Sequence, residues 1–181
     1  MAFSRNHLKL LALAPLFLLV AACTGVPQGI QPVTGLDPEK FLGEWYEIAR
    51  LDHSFEEGLS QVTAEYELQD DGSIKVINRG FDAEAGEWSL AEGRAVFVGD
   101  ETTGHLKVSF FGPFYASYVI FELDQDGYQY AYVTGYDRDY LWFLSRTPEV
   151  SEEALARFRR AAVEAGFDLD ELIVVDHRPV E

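Results

Sequence analysis

Phe41-Leu-Gly-Glu-Trp-Tyr-Glu-Ile-Ala-Arg50 opens the first long run of strand-forming residues, and its Gly-X-Trp triplet governs how that run begins. A glycine at position 43 lets the chain bend sharply into a strand with no Cβ to clash. Trp45 then offers a broad flat apolar face, able to plug one end of a β-structure and to take a guanidinium stacked across it. A matching arginine stands far downstream, at Arg146.

Between Trp45 and Arg146 short β-rich runs alternate with turn signals at regular spacing, the pattern of an all-β sandwich or barrel. Eight runs are expected, over 45–51, 62–68, 73–81, 88–98, 105–111, 117–123, 128–136 and 139–146. Turns such as Gln69-Asp-Asp-Gly72 and Asp124-Gln-Asp-Gly127 separate them. Connections this short suit antiparallel neighbours, and an eight-stranded up-and-down antiparallel β-barrel leaves no bare edge. Beyond it, Ser151 is placed to cap a C-terminal α-helix over 152–165, whose Leu155, Phe158, Ala162 and Ala165 form one apolar stripe to dock on the barrel's outer wall. Leu172-Ile-Val-Val175 reads as a final short strand, expected to pair near the first.

Upstream, Asp37-Pro38-Glu39-Lys40 has the capping residue and N1 proline of a short helical turn. Residues 23–36 are rich in Pro and Gly, lack a hydrophobic period and read as a flexible tether. Residues 1–22 carry Arg5 and Lys9, then the apolar run Leu8–Val20, then Ala21-Ala22 before Cys23. That is a secretory signal too short for a membrane span, and Val20-Ala-Ala-Cys23 resembles a bacterial lipobox. The resemblance implies cleavage before Cys23 and its acylation, while Thr24, in place of an aspartate, favours the outer membrane. The organisation expected is a signal peptide at 1–22, a tether at 23–36 and a barrel domain at 37–181.

Cys23 is the chain's one cysteine, so neither a disulfide nor a cysteine-based metal cluster holds the fold together. The formal charge is −17, and −19 once Arg5 and Lys9 leave with the signal. Such acidity opposes nucleic-acid binding and attachment to anionic headgroups. No Gly-X-Ser-X-Gly elbow occurs, and His7, His53, His105 and His177 are scattered, so no catalytic residue, metal ligand or cofactor is assigned. The chain is read as a non-enzyme.

Together, Gly43-Glu-Trp-Tyr-Glu-Ile-Ala-Arg50, Val76-Ile-Asn-Arg-Gly-Phe81, Lys107-Val-Ser-Phe-Phe-Gly-Pro-Phe-Tyr115 and Asp137-Arg-Asp-Tyr-Leu-Trp-Phe-Leu-Ser-Arg-Thr-Pro148 resemble the lipocalins, and among them the bacterial outer-membrane type. The likeness covers the whole chain after the signal. The family's Thr-Asp-Tyr signature is only partly kept, as Leu123-Asp-Gln-Asp-Gly-Tyr128. The resemblance implies a calyx closed where Gly43, Trp45 and Arg146 meet, and open where loops 52–59, 82–87, 112–115 and 137–139 gather.

Strand alternation then suggests a lining of Val76, Asn78, Val108, Phe110, Tyr118, Ile120, Ala131, Val133, Tyr140 and Trp142. At the mouth, His53, Arg79, Tyr115 and Arg138 are candidates to meet an oxyanion headgroup, although Arg79 and Arg138 have nearby Asp82, Asp137 and Asp139 as alternative partners. By resemblance, the ligands expected are fatty acids or lysophospholipids, palmitate among them, stored or transported by a lipid-anchored, periplasm-facing protein of the outer membrane. The competing assignments are a solid barrel that binds a partner or a second copy through aromatics such as Phe114 or Tyr132 and, less favoured, a lipid-modifying enzyme.

Overall fold

The computed structural model describes residues 24–179; the expected signal peptide at 1–22 and Cys23 lie outside the described residues. Eight antiparallel strands wind up and down: β1 Gly43–Leu51, β2 Leu59–Leu68, β3 Ile74–Asp82, β4 Glu87–Phe97, β5 His105–Phe111, β6 Phe114–Leu123, β7 Tyr130–Thr134 and β8 Leu141–Ser145. Each pairs with its sequence neighbour, and β1 pairs with both β8 and β2, which closes the barrel. A ninth strand, β9 Leu172–Val174, joins β1 at Ala49–Leu51, taking the edge that β2 leaves after pairing with Gly43–Tyr46.

Of the eight barrel strands, three (β1, β2 and β6) are longer than the sequence suggested and two (β7 and β8) shorter. β6 begins at Phe114 because Phe111 and Phe114 face each other across a tight turn over a cis Gly112–Pro113 bond. β7 and β8 stop at Thr134 and Leu141, since the chain between them forms a mouth loop in which the Thr134 hydroxyl donates to the Asp137 and Tyr140 carbonyls.

Side chains alternate across the wall, so the barrel has two cores. Trp45, Tyr66, Ile74, Val76, Ile120, Ala131, Val133 and Leu144 pack inside. Ile48, Val119, Tyr132, Leu141 and Phe143 pack outside, against α2 Glu152–Glu164. Phe158 of α2 is fully buried, with its ring 5.0 Å from those of both Phe143 and Tyr132. Ser151 caps α2, accepting from the Ala154 amide at 3.2 Å.

The closed end is built around Trp45. The short helix α1 Pro38–Phe41 crosses it, with Asp37 as N-cap, and the Phe41 carbonyl accepts from the Trp45 indole at 2.8 Å. The Arg146 guanidinium lies 3.8 Å over the indole centroid and donates to the carbonyls of Glu44 and Lys40 at 2.7 Å and of Leu42 at 3.0 Å. Gly43 enters β1 at φ +87°, and a Cβ there would stand 3.7 Å from that guanidinium. Positive φ is what reserves the position for glycine. Tyr128, the residue left of the partly kept signature, supplies the carbonyl for Arg146 Nε, and its hydroxyl accepts from the Asp37 amide.

One expectation is corrected here. From Thr24 on, the segment read as a flexible tether is packed against the barrel, with Ile30 in the outer core and Leu36 in the inner one at the closed end. The Val33 amide donates to the Ile120 carbonyl at 2.9 Å, the Gly104 amide to Val33 at 2.8 Å and the Leu36 amide to Thr102 at 2.8 Å, while Ile30 and Leu36 are buried. Its prolines forgo amide donors, yet the Ile30, Val33 and Leu36 amides find backbone partners, which the loop-like composition concealed.

Candidate binding cavity

A cavity of about 1000 Å³ opens at the end opposite Trp45. That is the upper end of the range for small-molecule sites, and it overturns a solidly packed barrel. Val76 and Asn78 of β3, Val108 and Phe110 of β5, Tyr118 of β6, and Tyr140, Trp142 and Leu144 on or beside β8 all line it, with Tyr115 at its rim.

Other expected members lie elsewhere. Val133, Ile120 and Ala131 point inward but are sealed in the floor packing, with no exposed surface. Arg79 faces out, its guanidinium 4.0 Å from the Trp88 ring centroid. Arg138 is spent on the chain itself: Nε donates to Ala165 at the end of α2 at 2.8 Å, and Nη2 to Gln28 at 2.6 Å. The Tyr115 hydroxyl meets Arg94 at 3.4 Å. His53 is buried beside the cavity wall and stacks on Phe55 at 3.9 Å. Tyr132 is buried under α2, so it offers nothing to a partner.

Among the described residues, then, no Lys, Arg or His lines the cavity; its ionisable side chains are Glu47, Glu56, Glu92 and tyrosines. The reason is local. Arg79 follows inward Asn78 by one residue and therefore faces out, and the loop before β8 turns Arg138 towards the exposed end of α2, whose carbonyls attract a cation.

Sequence reasoning missed the polar cluster in the wall. Glu47 shares the parity of Trp45, and that much was readable. A register shift between Glu47 and Ala49 then resets the alternation and carries Arg50 inside as well. Arg50 is buried, donating to Glu47 Oε1 at 2.8 Å and to the carbonyls of Glu56 and Leu59 at 2.8 and 3.1 Å. The loop between β1 and β2 is thereby pinned, and Glu56 tucks inward to accept from the Trp142 indole at 3.2 Å. His53 Nε2 is 3.1 Å from the same carboxylate, without hydrogen-bond alignment. Burial and the neighbouring Glu56 carboxylate push the Glu47 carboxyl well above the usual range, against the pull of Arg50. Deeper in, the Tyr66 and Tyr118 hydroxyls bond at 2.7 Å, and burial raises both phenols. An aromatic row of Phe55, His53, Tyr140 and Trp142, with ring separations of 3.9–6.4 Å, runs from the rim into the cavity.

The whole is a largely apolar chamber with a few polar groups, among which Asn78 Oδ1 and Arg50 Nε are buried without a hydrogen-bond partner, suited to holding a molecule. No described group of His, Cys, Asp and Glu is arranged to hold a metal ion.

Comparison with known proteins agrees. A lipocalin-like domain model matches residues 36–177. The chain is 54% identical to the outer membrane lipoprotein Blc of Vibrio cholerae, over 89% of this chain and 94% of that protein, and 48% identical to that of Escherichia coli K12, over 93% and 96%. It shares the lipid-anchored outer-membrane location of these relatives. Insecticyanin of the tobacco hornworm superposes with a TM-score of 0.66 at 21% identity, covering 84% of this chain and 86% of that one; at this identity the likeness speaks for the fold. Closed barrel, flanking helix, Trp45–Arg146 floor and close relatives lead to one statement: this chain belongs to the lipocalin family.

Proposed function

We propose that the chain stores or carries a lipid in the cell envelope, burying an acyl chain in the cavity and leaving the polar headgroup at the mouth, on the periplasmic side of the outer membrane and anchored through Cys23. The observation that carries this reading is the lining, which is apolar and aromatic over most of its surface and lacks a cation. Each methylene taken from water contributes about 0.8 kcal/mol. The same lining gives no buried cation to a fatty-acid carboxylate, so an anionic head stays in water at the rim. Lysophospholipids, and fatty acids held tail-first, fit that arrangement. Reversible burial needs no bond made or broken.

Trp142 reports on occupancy. Trp45 is sealed in the floor and Trp88 lies on the outer face of β4, so of the three tryptophans only Trp142 faces the chamber. Titrating the protein with a lysophospholipid or a long-chain fatty acid should shift its emission saturably, and Trp142→Phe should abolish the shift. No saturable change with any amphiphile tried would sink the carrier reading. Hydrolysis of a lysophospholipid ester by the pure protein would favour an enzyme instead.

A further inference from the structure

We propose that the mouth-side wall of the chamber holds the ammonium head of a cationic single-chain amphiphile, with the Glu56 carboxylate as counter-ion, the rings of Phe55, Tyr140 and Trp142 around it and the chain in the apolar space below. The proposal rests on the lipid-carrying reading, since burial of the chain is common to both, and adds to it a choice of head. Phe55, Glu56, Glu47, Tyr140 and Trp142 all line the chamber, which among the described residues no Lys, Arg or His does. Phe55 and Tyr140 have ring planes 20° apart and centroids 6.1 Å apart, and so do Tyr140 and Trp142, while Phe55 and Trp142 are separated by 6.4 Å. An aromatic ring presents its negative face to a cation, and grouped rings of this kind are what binds a quaternary ammonium.

The carboxylate is fixed in place. Glu56 is buried in the loop between β1 and β2, which Arg50 pins by donating to the Glu56 and Leu59 carbonyls at 2.8 and 3.1 Å. The Trp142 indole donates to Glu56 Oε2 at 3.2 Å, one bond to a group that can accept about four. His53 does not supply the rest. Its side chain is 4% exposed and covered by the Phe55 ring at 3.9 Å, and neither of its nitrogens has a hydrogen-bond partner, although Nε2 lies 3.1 Å from the same Glu56 oxygen. A buried imidazole unpaired beside a carboxylate is an exception among buried polar groups, which are nearly always satisfied. The chain itself thus leaves polar capacity at Glu56 unused, on the side that faces the chamber.

The same cluster sets the sign of the charge it accepts. Two carboxyl groups, Glu47 and Glu56, face the chamber, and the one guanidinium near them, Arg50, lies behind the lining with its bonds turned to Glu47 and the loop carbonyls. A cation beside this pair favours the ionised form of either acid, whereas an anion finds no partner. A metal ion suits the place poorly, because a hard cation takes six or more oxygens and the wall offers two carboxyl groups among rings and aliphatic side chains. An organic ammonium needs only the carboxylate and the aromatic faces. Val62, Val76, Ala95, Leu106 and Val108 line the space beyond, so the ammonium that fits is one carrying an alkyl chain. The further function is the capture of cationic amphiphiles, whose chains would otherwise insert into the membrane.

The test uses the full chain reconstituted in phosphatidylcholine vesicles at neutral pH and amphiphiles of one chain length: dodecyltrimethylammonium, the net-neutral dodecyldimethylamine oxide and dodecyl sulfate. Binding is read as the saturable change in Trp142 emission against the free amphiphile concentration, fixed by dialysis. The cation should bind at least about tenfold more tightly than the amine oxide, and the sulfate more weakly than either. Glu56→Gln, which keeps an acceptor for the Trp142 indole, should cut the cation-to-oxide affinity ratio at least about fivefold, and Phe55→Leu, at a rim position that is 56% exposed, at least about twofold. Equal affinity for the cation and the amine oxide overturns the proposal, and so does a ratio that survives both substitutions. Dodecylphosphocholine, in which a phosphate precedes the same ammonium, should bind less tightly than the cation; tighter binding would mean that a zwitterionic head takes the site, which overturns the choice of ligand. Saturable binding without preference for the cation removes the ammonium site and leaves the carrier reading standing, whereas no saturable change with any of these amphiphiles removes both.

Discussion

Glu47→Gln should flatten part of the dependence of stability on pH. Glu47 and Arg50 are both buried, and the single bond from Arg50 Nη1 to Glu47 Oε1 leaves the carboxyl facing the chamber and Glu56. Taking this carboxyl out of water, with a second carboxylate beside it, raises it well above its ordinary 4.5. The direction of the shift favours, in the folded chain, a proton that the unfolded chain releases more readily. The folded state therefore binds more protons across the window from 4.5 up to the raised value, and stability must fall as pH rises through it. For one proton the limiting slope is about 1.4 kcal/mol per pH unit. Glutamine keeps an acceptor for Arg50 and cannot titrate, so the variant should lose this component. Glu56, His53, Arg50 and Tyr66 also face the site and remain in both proteins; because Glu47 interacts with Glu56, the difference between the two curves reports the loss of the Glu47 carboxyl from that pair. Urea unfolding between about pH 5 and 8 should show the variant gaining on the parent by up to that slope as pH rises. Parallel curves would refute the protonated Glu47, and a variant that loses ground with rising pH would mean that the native carboxyl is ionised and paired with Arg50.

Three further outcomes are expected. Tyr66→Phe breaks the 2.7 Å bond to Tyr118 and strands a buried hydroxyl, which should cost about 1–3 kcal/mol in urea unfolding, with much of it recovered when Tyr118→Phe is added. Trp45→Ala removes the plug from under Arg146 and should cost about 3–5 kcal/mol; an unchanged urea midpoint would contradict its place in the floor. Gly93→Ala puts a Cβ 2.8 Å from the Phe110 ring, so it should cost about 1–3 kcal/mol and weaken lysophospholipid binding by driving that ring into the chamber, while Phe110→Leu in the same background should restore stability.

Much of the site was legible because one physical rule, inward–outward alternation, acts residue by residue. Trp142 and Tyr140 share parity with Arg146, and Val76 with Asn78, so their inward direction needed no tertiary knowledge. The same rule does not give depth. Val133 points inward as expected, yet the floor packing seals it, because depth depends on how the neighbouring strands are staggered around the barrel. Nor does the rule survive a bulge. Arg50 would face out on a regular strand, and the shift between Glu47 and Ala49 turns it in. The mouth arginines were misplaced for a related reason. Arg138 sits in a loop, where no periodicity applies, and its partners at Gln28 and Ala165 come from two distant segments.

By itself the sequence determined the strand count, the apolar stripe of α2, the Gly43–Trp45 entry and the match of Trp45 with Arg146, since each follows from local steric preference or from the period of hydrophobic residues. Only the tertiary structure decided that the chamber is open and about 1000 Å³, that its walls carry acids and no cation, and that residues 24–36 are fastened to the β5–β6 wall. Those are matters of closure, stagger and long-range pairing. They are set by the free energy of the assembled barrel, which no single segment carries.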